Sequence, residues 1–169
     1  MSDLTLAIPV TVNGVARTVY AAPGQLLAEL LRDQLDLKAC HVGCLTGDCG
    51  ACTVLLDGKA SKACLTLAVA MAGRTVVTLE GDDSAVMQEL QAAFIAENAF
   101  QCGFCTAGML AASADLLRRN PTPHDDEIRW AIGGNLCRCT GYEPIVRAIR
   151  TVAGQRGATH DRHHPHCGT

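Results

Sequence analysis

The sequence predicts an α+β chain of two successive units, strand-rich up to about residue 80 and all-helical beyond it. Three observations carry this. Strand-like segments flank an Asn13-Gly14 turn near the start, the hydrophobic period becomes helical after the polar junction Gly81-Asp82-Asp83-Ser84, and Gly and Pro groups cut the second half into four helices.

In the first unit, Leu4 to Val12 and Val15 to Ala21 read as two strands, because Asn-Gly tolerates the positive φ angles of a tight hairpin turn. Pro23-Gly24 ends the hairpin. In Gln25 to Leu35, Leu26, Leu27, Leu30 and Leu31 fall at helical spacing, and a Gly- and Cys-rich loop from Cys40 to Cys52 follows. Thr53 to Leu56 with Asp57-Gly58 is a short strand and turn, Lys62 to Met71 a short helix, and Thr75 to Leu79 a last strand. Ser84 or Asp83 is placed to cap the next helix. Helices are expected over 85 to 97, 105 to 119, 125 to 132 and 143 to 153, packed as a small bundle. They are separated by Asn120-Pro121-Thr122-Pro123, by Gly133-Gly134 and by Gly141. The expected division is 1–80, 81–157 and a His-rich tail, 158–169, with the composition of a mobile terminus that could bind a metal adventitiously.

The 169 residues are 49% hydrophobic and 18% charged, which excludes wholesale disorder. The apolar run Ala63 to Ala72 falls well short of the roughly 20 residues of a membrane span. The start, MSDLTLAIPV, carries neither a basic segment before an apolar one nor twin arginines, so a cytoplasmic location is expected. A net charge of -3 offers a phosphate backbone little, and no nucleic-acid partner is expected. No phosphate-binding glycine fingerprint occurs, and His124 with Asp125, Asp126 and Glu127 reads as a helix start, not as a catalytic group.

Ten cysteines are the outlier, and in a reducing compartment they point to metal and not to disulfides. Cys44, Cys49 and Cys52 reproduce the C-x4-C-x2-C spacing of a plant-type 2Fe-2S site, with Cys64 as a fourth ligand. Two bridged tetrahedral irons need four converging thiolates and backbone N–H groups aimed at sulfur, and Gly43, Gly47 and Gly50 allow the close curl. A structural zinc site is the alternative ligand reading. Cys40 is read as a buried apolar side chain outside the ligand set. In the second unit Cys102, Cys105, Cys137 and Cys139 make another set of four. Cys102-Gly103-Phe104-Cys105 alone could be a redox dithiol, but it lacks the preceding strand such a motif requires. The C-x-C pair Cys137 and Cys139 suits two thiolates on one iron of a cluster, and the start of a helix favours an anionic site.

Three stretches carry a resemblance: His41-Val42-Gly43-Cys44 through Gly47-Asp48-Cys49-Gly50-Ala51-Cys52-Thr53-Val54 with Cys64; Gln101 to Thr106; and Gly134-Asn135-Leu136-Cys137-Arg138-Cys139-Thr140-Gly141-Tyr142. Together they closely resemble the small iron-sulfur subunit of the molybdenum hydroxylases, which include xanthine dehydrogenase, aldehyde oxidoreductase and carbon monoxide dehydrogenase. The resemblance spans about residues 4 to 155. It implies a β-grasp ferredoxin-like domain followed by a four-helix-bundle domain, each with one 2Fe-2S cluster. The expected function is electron transfer from a molybdenum site to FAD or another acceptor, without bond chemistry in this chain. The implied partners are a large molybdopterin subunit and usually a medium FAD subunit, in an assembly that can be a dimer of heterotrimers. Cys44, Cys49, Cys52 and Cys64 would hold the cluster facing the flavin. Cys102, Cys105, Cys137 and Cys139 would hold the one facing the pterin, with Gln101 and Cys139 at the pterin itself; Gln101 as a plain helix cap is the competing reading. Ala107, where Pro is usual, should matter little, and Glu143, where Arg or Gln often stands, is expected to alter a contact with the large subunit. An independent ferredoxin or iron-sulfur sensor, or a zinc-stabilised interaction module, are the competing functions.

Overall fold

The computed structural model describes residues 4–161, with side chains described to residue 157. The hairpin forms as its turn chemistry dictates. Strands β1 (Leu6–Val12) and β2 (Val15–Ala21) pair antiparallel around Asn13 and Gly14, at φ of 51° and 77°. Helix α1 (Leu27–Glu29) widens into a single π-helical turn over Leu30–Gln34, buries Leu27, Leu30 and Leu31, and hands the chain to the cysteine loop. Arg32 Nη1 pins that exit by donating to the carbonyls of Lys38 and Cys40, both at 2.9 Å.

Strands β3 (Thr53–Leu56), β4 (Lys59–Lys62) and β5 (Thr75–Val77) complete a mixed five-stranded sheet in the order β2-β1-β5-β3-β4. Here the expectation of a helix over Lys62 to Met71 fails. Lys59–Lys62 is a strand on β3, and the rest is two short 3-10 turns, Ala63–Leu65 and Ala68–Met71. Tertiary hydrogen bonds override the helical pattern: Ala63 N–H donates to Cys52 O at 3.2 Å, and Leu26 bridges to Leu67. The last strand ends at Val77, where Leu79 was expected.

The junction caps a helix, as expected. Ser84 Oγ accepts from Met87 N–H at the start of α2 (Ala85–Ala96). Helices α3 (Thr106–Arg119), α4 (Asp125–Ile132) and α5 (Glu143–Asp161) follow. Glu127, in the first turn of α4, accepts from the His124 N–H at 2.8 Å. Helix α5 continues past residue 153, where the sequence pattern closed it; Arg156 Nε meets Glu89 of α2 at 2.8 Å. The His-rich tail and Cys167 lie, for residues 162–169, outside the described residues.

Two apolar cores result. One lies between the sheet and α1, centred on Ile8, Val10, Leu30, Val54 and Met71. The other is shared by α2 to α5, centred on Leu90, Phe94, Met109, Ile128 and Ile149. Helix α3 joins them, packing on α2 and α4 and also on β3. Its contact is close because Gly108 has no side chain: a Cβ there would lie 2.3 Å from Gly50 O. Gly50, at φ 69°, is as tightly held, since a Cβ would meet Gly134 O at 2.3 Å.

Candidate functional site

Both cysteine sets assemble at this seam. In the loop set, left-handed Leu45 and Gly47 fold the chain so that the N–H groups of Thr46 and Cys49 both donate to Cys44 Sγ at 3.4 Å. Thr46 and the N–H groups of Cys49 and Thr46 draw the Cys44 thiol down to about 6. The Thr46 hydroxyl lies 2.6 Å from the Asp48 carboxylate. Cys52 and Cys64 are buried side by side, and burial, with Cys52 next, pushes the Cys64 thiol up to about 11. Cys40 sits behind them as an apolar filler. Its thiol donates to Cys52 O at 3.8 Å, and burial pushes it up to about 12.

The helical set draws on two loops. Cys102 and Cys105 precede α3, while Cys137 and Cys139 lie between α4 and α5. The structure pairs thiols across the loops and not within the C-x-C motif. Cys139 Sγ is 3.6 Å from Cys102 Sγ, and Cys105 is driven up to about 12 by burial and then by Cys137. Cys139 of the C-x-C motif thus lies against Cys102 of the other loop. Burial pushes the Cys137 thiol up, but the Thr140 hydroxyl at 3.1 Å and nearby N–H groups outweigh it, and the net shift is downward. Gln101 Nε2 donates to Cys139 O at 3.1 Å, tying one cysteine loop to the other, and α3 has no side-chain cap. The capping role weighed for Gln101 is thus not what its side chain does.

Sequence reasoning missed what joins the two sets. Leu136 N–H, next to Cys137, donates to Cys49 O at 2.8 Å. Asn135, almost wholly buried, donates to Gly50 O at 2.9 Å and Thr53 Oγ1 at 3.2 Å, and Lys62 Nζ meets Gly134 O and Asn135 Oδ1. The His41 ring stacks on Phe104 at 4.8 Å, with His41 Nδ1 2.8 Å from Phe104 O. A polar residue ahead of a cysteine motif was the only signal of Asn135. Glu143 forms an internal ion pair with Arg129 at 2.8 Å.

Comparison with known proteins agrees with this geometry. Residues 10–73 match the 2Fe-2S iron-sulfur cluster binding domain family, and residues 75–150 match the 2Fe-2S binding domain family. The chain is 47% identical over 150 residues to the nicotine 6-hydroxylase small subunit of Paenarthrobacter nicotinovorans, covering 89% of this chain and 91% of that one. It is 44% identical to the xanthine dehydrogenase iron-sulfur-binding subunit of Escherichia coli O157:H7, covering 86% and 92%. The chain belongs to the family of small iron-sulfur subunits of molybdenum hydroxylases. Its fold superposes on quinoline 2-oxidoreductase from Pseudomonas putida 86 with a TM-score of 0.85 at 44% identity, covering 91% of this chain and 97% of that one. On the aldehyde oxidoreductase of Desulfovibrio desulfuricans ATCC 27774 the TM-score is 0.83 at 40% identity, but the match covers only 17% of that longer chain.

Both matched families are 2Fe-2S binding domains, and each matched stretch carries four of the candidate cysteines. Among the described residues no three His, Cys, Asp or Glu side chains converge on a single ion. The Cys102 and Cys139 sulfurs lie 3.6 Å apart, which matches the separation of about 3.8 Å between two ligands on one tetrahedral metal. None of the described cysteines is in a disulfide.

Proposed function

We propose that Cys44, Cys49, Cys52 and Cys64 hold one 2Fe-2S cluster, that Cys102, Cys105, Cys137 and Cys139 hold a second, and that the chain serves as a two-centre electron conduit in a molybdenum hydroxylase. Each cluster, when bound, supplies a one-electron carrier. The observation that carries the reading is the short seam between the two thiol sets, where the Leu136 N–H bond to Cys49 O and the His41–Phe104 stack hold the loops together. Buried Asn135 keeps that spacing fixed, and the N–H groups around Cys44 are preset for a negatively charged sulfur.

In this reading residues 1–80 are a β-grasp ferredoxin-like domain, 81–157 a four-helix-bundle domain, and 158–169 a tail. The ring of contacts α2-α3-α4-α5-α2 supports the bundle. The pterin of a large subunit would meet Gln101 and Cys139, where Cys102 and Cys139 are exposed and Phe100, Phe104 and Leu136 offer an apolar rim. A medium FAD subunit would cover the loop set beside exposed Leu45 and Leu65. A cytoplasmic setting suits the reduced thiols. Among the described residues no helix is long and apolar enough to cross a membrane.

Iron analysis and electron paramagnetic resonance of the purified complex test this. About four irons per chain and two distinct signals are expected, with Cys49→Ser removing one signal and Cys105→Ser the other. Zinc, or a single iron pair, overturns the assignment.

A further inference from the structure

Three hydrogen bonds close a ring beside Cys137. The Cys137 N–H donates to Tyr142 Oη at 2.9 Å, the Tyr142 N–H donates to Thr140 Oγ1 at 3.2 Å, and Thr140 Oγ1 lies 3.1 Å from Cys137 Sγ. A hydroxyl has one proton to give and lone pairs that accept, and a thiolate ligand has no proton, so Thr140 is the donor in the last contact. The ring therefore runs in one direction and ends on sulfur. Closing it takes an unusual main chain, with Gly141 and Tyr142 both in the left-handed region at φ of 66° and 69°. That conformation is unfavourable for a side chain as large as Tyr and persists only where the surroundings enforce it. Here they do, since the Tyr142 ring packs against the core of α2 to α5 while its hydroxyl holds the Cys137 N–H.

We propose that Tyr142 is a positioning residue that aims the Thr140 hydroxyl at Cys137 Sγ, and that the bond so formed raises the reduction potential of the centre held by Cys102, Cys105, Cys137 and Cys139. The proposal rests on the ligand set assigned above. Reduction adds negative charge to the centre and its sulfur ligands, and a donor on a ligand sulfur stabilises the reduced form more than the oxidised one. Cys137 is buried, where such a bond is stronger than in water. Tyr142 meets Cys137 at its main-chain N–H, so its effect on the sulfur passes through Thr140.

The test is a redox titration of the intact complex, followed by electron paramagnetic resonance, in the native protein and in Thr140→Val, Thr140→Ser, Tyr142→Phe and the double variant Thr140→Val with Tyr142→Phe. The helical signal is the one that Cys105→Ser removes, and the loop signal, which should not move, is the internal reference. Thr140→Val keeps the shape and loses the donor. It should lower the ratio of reduced to oxidised helical centre about tenfold at a fixed potential, a shift of about 59 mV for one electron. Thr140→Ser should keep the native midpoint, and Thr140→Ala should reproduce the shift if the valine variant folds poorly. Tyr142→Phe keeps the ring and loses the acceptor for the Cys137 N–H, and should lower the same ratio about threefold, a shift of about 28 mV. The double variant should match Thr140→Val alone, because both residues act on one contact. A helical midpoint that stays or rises in Thr140→Val, or moves together with the loop midpoint, overturns the role of the hydroxyl. One that stays or rises in Tyr142→Phe, or falls further in the double variant, overturns the positioning by Tyr142. Zinc or a single iron pair in the native complex overturns the ligand set and this proposal with it.

Discussion

The two cysteine sets reach similar donor chemistry by opposite routes. The loop set is written largely in one continuous stretch, and its sulfur Cys44 is served by main-chain N–H groups. The helical set is split between two loops that only the packing of α2 to α5 brings together, and Cys137 is served by the hydroxyl of Thr140 as well as by main-chain N–H groups. Main-chain donors survive side-chain substitution and hydroxyl donors do not. The helical centre should therefore be the more sensitive to mutation around it, and the loop centre the more sensitive to changes in backbone path.

The sharpest way to break this comparison is to disturb the seam that both sets share. Gly108→Ala would drive a Cβ to within 2.3 Å of Gly50 O, which is backbone and cannot rotate away. We expect a stability loss of about 1–3 kcal/mol, seen as a lowered melting temperature, with both cluster signals perturbed together. A change in the helical signal alone would show that the sets are less coupled than the Leu136 to Cys49 bond indicates.

A smaller effect is expected from Cys40→Ala. Cys40 is a fifth thiol behind the loop set, and in the described part of the chain the helical set has no such companion. Removing its sulfur should cost about 1 kcal/mol of stability and leave the iron content and both signals intact. Loss of the loop signal would mean that Cys40, and not one of the four assigned thiols, is a ligand.

The smallest effect concerns the scaffold. Of the eight ion pairs among the described residues, only Lys38–Asp36 and Arg74–Asp57 lie in the sheet half, so acid should loosen the helical half first. Asp125 of α4 is held below its ordinary 3.8 chiefly by its hydrogen bond to Arg150 of α5. Because the folded value is depressed, the contribution is present above 3.8 and is lost as pH falls through the folded value. The melting temperatures of native protein and Asp125→Asn should differ by a small, constant amount at neutral pH and converge in acid. A gap that widens in acid would refute the linkage.

Local chemistry made much of the chain legible. The Asn13-Gly14 turn needs two positive φ angles, Ser84 offers a cap oxygen, and Asn120-Pro121 cannot continue a helix; each acts over a few residues and was placed from sequence. The Lys62 to Met71 segment was misread because its apolar spacing is helical while its hydrogen bonds go to Cys52 and to the chain near Leu26. The true end of α5 was missed because two glycines weaken its last turns locally, while Arg156 is met by Glu89 of α2.

For the candidate site, the spacing of Cys44, Cys49, Cys52 and Cys64 and the two later motifs were determined by sequence alone, because ligand type and separation are properties of the chain. Which thiol faces which, how Asn135 and Lys62 close the seam, and why Gly50 and Gly108 carry no side chain were decided only by the tertiary structure. Those facts are distances between segments far apart in sequence, and they exist only once α3 has packed against β3.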